Sequence, residues 1–246
     1  MLKQCCVMFL VVTVVISAVA WAEPTLEETE KAISDLSDQV NDYKGTIAID
    51  STRTGAASTV SMKTTGTVEC LKKDGVLKYR TDLTSRIPMP NGELEQKSLI
   101  VFDGTDLDTE VETGGQKFAM KDKPDLAKSV MPVSGKALFE MLHAKYNLKA
   151  LPEESVEGEP AFAIEVESKG WRDGKPVAKF RCYFSKKNGL QVKFVQIGPD
   201  DKPMSTVLYK DIKINTGLLP ERFLYKPGDG VTVLDQTQVM QFNTNK

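Results

Sequence analysis

The chain has 246 residues, with 32 basic and 34 acidic side chains and a formal net charge of −2. So even a balance gives no argument for a nucleic-acid partner or a polybasic membrane patch. The length suits one all-β core or at most two small ones.

Residues 1–22 read as a cleaved secretory signal. Lys3 supplies the positive start, Val7–Val19 an apolar stretch, and Ala20-Trp21-Ala22 an A-x-A site before Glu23. The stretch is short for a membrane span, which needs roughly 20 apolar residues. Cys5 and Cys6 leave with the signal, and the residue directly after the cleavage point is Glu23, not the Cys of a lipid anchor. The mature part, 23–246, is read as a single periplasmic domain.

A first helix is expected over 24–43. Leu26, Ile33, Leu36, Val40 and Tyr43 repeat three, four or seven apart, on one helical face. Pro24 and the acidic Glu27, Glu28 and Glu30 suit its N-terminal turn, and Gly45 is read as its end.

Strands follow. Ile47 and Ile49 alternate inward over 45–52. Over 59–71, Val60, Met62, Thr64, Gly66, Val68 and Cys70 share one parity. Thr and Gly on that face point to a strand that curves or is closely approached. Lys72-Lys73-Asp74-Gly75 reads as a hairpin turn. A strand over 76–84, a loop over 88–92, and a meander of three strands (93–102, 105–113 and 116–121) come next. Asp103-Gly104 and Gly114-Gly115 form the meander's turns.

The period then changes. Segments 125–130 and 134–146 read as helical, interrupted by Pro132. Leu138, Phe139, Met141, Leu142 and Tyr146 make a wide apolar face in the second. Five strands return over 149–156, 161–168, 177–185, 190–197 and 204–215. The parity slips between Tyr209 and Ile212, which predicts a bulge. Phe223 and Tyr225 suggest another strand, Pro227–Gly230 a turn, and Val231 and Val233 a final piece. About eleven antiparallel strands result, enough for a sheet to curl. The expected fold is mainly β (α+β): a strongly curved, incomplete antiparallel barrel with helices over its concave face.

No catalytic constellation emerges, and the chain reads as a non-enzyme without cofactor or metal. His143 is the only histidine and reads as a packing or surface residue. No G-x-S-x-G occurs. Gly114-Gly115 and Gly228-Asp229-Gly230 open no helix and are not phosphate loops. Asp103, Asp106, Asp108 and Glu110 lack the calcium-loop grammar and read as a solvated strand face. Glu153, Glu154, Glu157 and Glu159 read as solvation around a turn, and Trp171 as a strand-end aromatic. Cys70 and Cys182 are each placed on an apolar strand face. In an oxidising compartment they are either a disulfide or two buried thiols, and the sequence leaves both open. What remains is apolar area without chemistry: a core if side chains fill it, an acyl-chain site if they do not.

The stretch Phe223–Asp235 resembles the close of LolA/LolB-type periplasmic carriers of outer-membrane lipoproteins, F-x-F-x-x-P-x-G-V-x-V-x-D. Phe223, Tyr225, Pro227, Gly230, Val231, Val233 and Asp235 fit it. The segment Leu99–Leu107 is similar to that family's strand, Asp-Gly turn and strand. The resemblance implies a curved half-barrel with a helical lid over an apolar cavity that takes acyl chains. It also implies a monomer bearing a lipid or acylated lipoprotein, with transient envelope membrane-protein partners and no nucleic acid. Residues expected to line the cavity are Ile47, Ile49, Val60, Met62, Val68, Val101, Leu138, Met141, Leu142 and Phe180. These carriers have a basic residue and Pro at the turn after the second strand. Here the turn is Lys72–Gly75, with Lys73 as the available charge. The alternative is a protein-interaction or stress-sensing module on the same fold.

Overall fold

The computed structural model describes residues 24–54, 59–73, 76–122, 135–172, 175–176 and 178–234. The expected signal, the helical piece over 125–130 and Asp235 of the closing motif lie outside these residues.

Helix α1 covers Leu26–Ser37. Thr25 and Glu28 form a capping box: Glu28 N–H donates to Thr25 Oγ1 (3.2 Å), and Thr25 N–H to Glu28 Oε2 (2.8 Å). The helix is shorter than its periodicity suggests, because pairing takes the chain over. Asp42 and Tyr43 already lie opposite Leu71 and Cys70. Val40 and Tyr43 are buried against the sheet, beyond the helix.

The strands are β1 (Asp42–Thr54), β2 (Thr59–Lys73), β3 (Val76–Met89), β4 (Gly92–Phe102), β5 (Leu107–Thr113) and β6 (Gln116–Asp122). Helix α2 (Lys136–Lys145) follows, then β7 (Tyr146–Val156), β8 (Glu159–Ser168), the small hairpin β9 (Trp171–Arg172) and β10 (Lys175–Pro176), β11 (Lys179–Ser185), β12 (Gln191–Ile197), β13 (Pro203–Ile214) and β14 (Thr232–Leu234). Pro88 and Met89, expected in a loop, continue β3. Only Pro90 and Asn91 remain as the turn.

Among the described residues, twelve strands form one open sheet in the order β14-β6-β5-β4-β3-β2-β1-β13-β12-β11-β8-β7. That is one more than the sequence suggests. Neighbours are antiparallel except β14, which lies parallel to β6. The expected strand at Phe223–Tyr225 is absent, and a 3₁₀ turn covers Pro220–Phe223 instead.

The expected bulge is present. Lys44 pairs with Lys213 but Thr46 with Lys210, and Asp211 sits at φ +53°. Gly45 faces this bulge inside β1 and ends no helix. A Cβ there would stand 2.8 Å from the Lys210 carbonyl oxygen. Asp42, buried at the start of β1, holds the chain reversal after β13. Its carboxylate accepts from Thr216 N–H (2.7 Å), Thr216 Oγ1–H (2.8 Å) and Gly217 N–H (3.0 Å).

Candidate functional site: the apolar face shared by sheet and helices

Cross-strand partners share a face, so register sorts every strand residue to one side. One row runs Tyr43, Cys70, Tyr79, Phe102, Leu107; the next carries Val68, Thr81, Ile100 and Thr109. This face is apolar along β1–β4 and β13, where Tyr43, Ile47, Val68, Cys70, Tyr79, Phe102, Val207 and Tyr209 form one buried cluster. A second cluster joins Ile33 of α1 and Leu138, Phe139 and Leu142 of α2 to Phe162, Ile164, Val166, Cys182 and Phe184 of β8 and β11. Phe194 of β12 packs against both, making one continuous apolar face. Rings link it: Phe180 lies 5.3 Å from Tyr146 and 5.3 Å from Phe194 (centroid distances), and Phe139 lies 6.0 Å from Phe184.

The helices are tied down at their polar edges. His143 Nε2 lies 2.9 Å from Glu30 Oε1, joining α2 to α1, and Lys169 Nζ donates to the His143 carbonyl (2.7 Å). Lys72 Nζ donates to Asp38 Oδ1 at 2.9 Å, tying the end of β2 to the C-terminus of α1. The charge at that turn with an acidic partner is thus Lys72, where Lys73 was expected. Both pairs are half exposed and contribute on the order of 1 kcal/mol or less.

The expected lining residues divide. Ile47, Val68, Leu138 and Leu142 are buried in the two clusters, and Ile49, Met141 and Phe180 pack against them half-buried. Met62 shares their face, half-buried near the sheet's far end, and Val60 beyond it is exposed. Val101 requires correction: it pairs with Arg80, whose partner is Glu69, so it lies on the opposite face from Val68. Leu99–Phe102 is a continuous apolar run, and parity cannot orient a strand buried on both sides. Ile100 and Phe102 occupy the place given to Val101.

The second face explains that run. After the 3₁₀ turn the closing stretch crosses it as a strap. Arg222 makes a two-pronged pair with Glu69 of β2 (2.8 and 2.8 Å), and Tyr225 Oη donates to Glu110 of β5 (2.8 Å). Phe223 and Val101 are both fully buried. Glu110 therefore has a structural partner, Asp103 caps its own turn by accepting from Thr105 and Asp106 N–H (2.8 Å each), and Asp106 pairs with Lys121 (2.8 Å). Among the described residues, no three His, Cys, Asp or Glu are grouped to hold a metal.

Cys70 and Cys182 are free and buried, in different clusters. Burial pushes both thiols up to about 12, the Cys70 shift being opposed by its hydrogen bond with Tyr43. Burial also raises Tyr79 to about 12 and lifts Tyr43 and Tyr209. These are the protonated groups of a packed interior, without the thiolate that nucleophilic chemistry needs.

Two clefts are lined by described residues, and no helix residue lines either. One, of about 390 Å³, lies between the β7–β8 turn, the β11–β12 connection and the β13 bulge. The other, of about 180 Å³, lies over β3–β5 beside Glu110.

No protein-family model and no curated protein match this chain. Solved structures do. An uncharacterized conserved protein from Thermus thermophilus aligns with a TM-score of 0.52 at 12% identity, covering 84% of this chain and 98% of that one. MucB aligns at 0.43 and 14% identity over 80% of this chain, which spans only 61% of MucB. The LolA superfamily protein NE2245 from Nitrosomonas europaea aligns at 0.29 and 14% identity, covering 80% and 98%. The likeness to the Thermus protein shows a shared fold: a large open sheet with, among the described residues, two α-helices, consistent with an incomplete barrel.

Proposed function

We propose that the chain is an exported, non-enzymatic binder or carrier of lipid or of lipoprotein acyl chains. The observation that carries this reading is the single apolar face built from two clusters, one of which packs against α1 and α2. Half-buried Ile49, Leu83, Ile100 and Leu107 continue the face on strands that α1 and α2 do not join. The likeness of the closing stretch to LolA/LolB-type carriers, in Phe223, Tyr225, Pro227, Gly230, Val231 and Val233, points the same way. On this reading the helices sit over the concave side as a cover. The ligand's chains run over Ile47, Ile49, Val68, Leu138, Met141, Leu142 and Phe180, with Met62 and Val60 toward the far end. Residues 1–22 direct export to the periplasm, 23–246 act as one domain, and the protein works as a monomer with transient membrane-protein partners.

Native mass spectrometry of protein purified from its own envelope tests this. A lipid or acylated adduct is expected, and Phe180→Asp should weaken its retention at least tenfold, since a charge on this face is costly to bury. A protein that arrives empty and ignores offered phospholipid vesicles refutes the reading. Capture of one protein partner independent of acylation would favour an interaction module.

A further inference from the structure

The apolar face is interrupted by hydroxyl groups. Thr81 stands on it between Val68 and Ile100, and its Oγ1 is buried without a hydrogen-bond partner. Two rows along, past the Gly66–Leu83 pair, Thr64 and Ser85 are buried as a cross-strand pair, Oγ to Oγ at 2.7 Å. That bond uses one hydroxyl proton and leaves the other for a further acceptor. Valine would fill the Thr81 position without leaving a buried donor unmet. A buried polar group without a partner calls for an explanation beyond packing.

Building on the lipid-binding reading, we propose that this hydroxyl band recognises the carbonyl oxygens of ester-linked acyl chains. The ester end lies over Thr81 and the Thr64–Ser85 pair on β2 and β3, and hydrocarbon runs from there across Ile47 and Ile49 of β1 toward Phe180 and α2. Thr81 donates to a ligand carbonyl that parts Leu83 and Ile100 to reach it. The site thereby distinguishes ester from ether linkage and sets which way the amphiphile lies.

The test is competition between dipalmitoyl phosphatidylethanolamine and its di-O-hexadecyl ether analogue, offered together in vesicles, with bound lipid read by native mass spectrometry. One net hydrogen bond predicts an ester preference of about two- to tenfold. Thr81→Val should bring the ratio near unity while ether-lipid binding is kept, and Thr81→Ser should retain the preference. Thr81→Val is expected to melt no lower than wild type, because it removes an unsatisfied hydroxyl. Equal binding of the two lipids by wild type, or an unchanged preference in Thr81→Val, overturns the proposal and leaves lipid binding standing. Failure of wild type to take either lipid removes the lipid reading and the ester proposal with it.

Discussion

Gly66→Ala tests how the sheet is built. Gly66 lies in β2 opposite Leu83 of β3. A Cβ added there would stand 1.9 Å from the Asp82 carbonyl oxygen, 2.9 Å from its carbonyl carbon and 3.0 Å from Leu83 Cα. These are backbone atoms, so no side chain can swing away. Restoring even a tight contact needs β2 and β3 to separate by about 1 Å, a sizeable part of the roughly 4.8 Å between paired strands. Overpacking of this kind costs about 1–3 kcal/mol, and one or two weakened ladder hydrogen bonds add about 0.5–1.5 kcal/mol each. The expected loss is about 3–5 kcal/mol, or a fall of about 6–20 °C in Tm for a domain of this size. Urea unfolding followed by far-UV circular dichroism measures it directly. Gly114→Ala is the control: its Cβ meets nothing within 4 Å, although its φ of +56° adds modest strain. If Gly66→Ala unfolds within about 1 kcal/mol of wild type, the strands do not approach as described and the argument fails.

The strap predicts a graded pair of losses. Phe223→Ala should cost about 3–5 kcal/mol as a fully buried ring, and Arg222→Ala only about 1 kcal/mol, since its partner pair is half open to solvent. Denaturant midpoints would show the order, and equal losses would contradict it. Asp42→Ala should cost about 2–4 kcal/mol by leaving three donors at the β13 reversal unmet. Asp42→Asn, which keeps one acceptor, should recover part of that loss in the same melts. Alkaline pH should destabilise the fold. Burial holds Cys70 and Cys182 protonated up to about 12, against 9.0 unperturbed. The folded chain therefore keeps protons that the unfolded chain releases. This contribution is fully present below about pH 9 and is lost as the pH rises from 9 through 12. A double Cys→Ala variant, compared with wild type, should lose the slope between pH 9 and 10, while buried Tyr43, Tyr79 and Tyr209 keep a slope above pH 10.

Much of the scaffold is legible in residue order. Alternating apolar positions with short turns at Asp103-Gly104 and Gly114-Gly115 give the meander, and the parity slip after Tyr209 gives the bulge. Both signals are local, because a turn or a pleat is decided by neighbouring residues. The helix end is not local. Val40 and Tyr43 fit a helical repeat as well as a strand, and the pairing of Tyr43 with Cys70 settles the choice. The same limit applies to the site. Where alternation is clean, as at Ile47 and Val68, or the helical period is, as at Leu138, the face is readable from sequence. In Leu99–Phe102 it is not, because both sides are buried.

What the sequence by itself determined is the class of the fold, its turns and most of its apolar face, since these follow from local periodicity and turn chemistry. Only the tertiary structure decided that β14 runs parallel along β6, that Phe223 closes the second face as a strap, and that the thiols stay apart in separate clusters. It alone exposed the unpaired hydroxyl of Thr81. These depend on which distant strands come to lie side by side, and register between distant strands is written in no stretch of the chain taken alone.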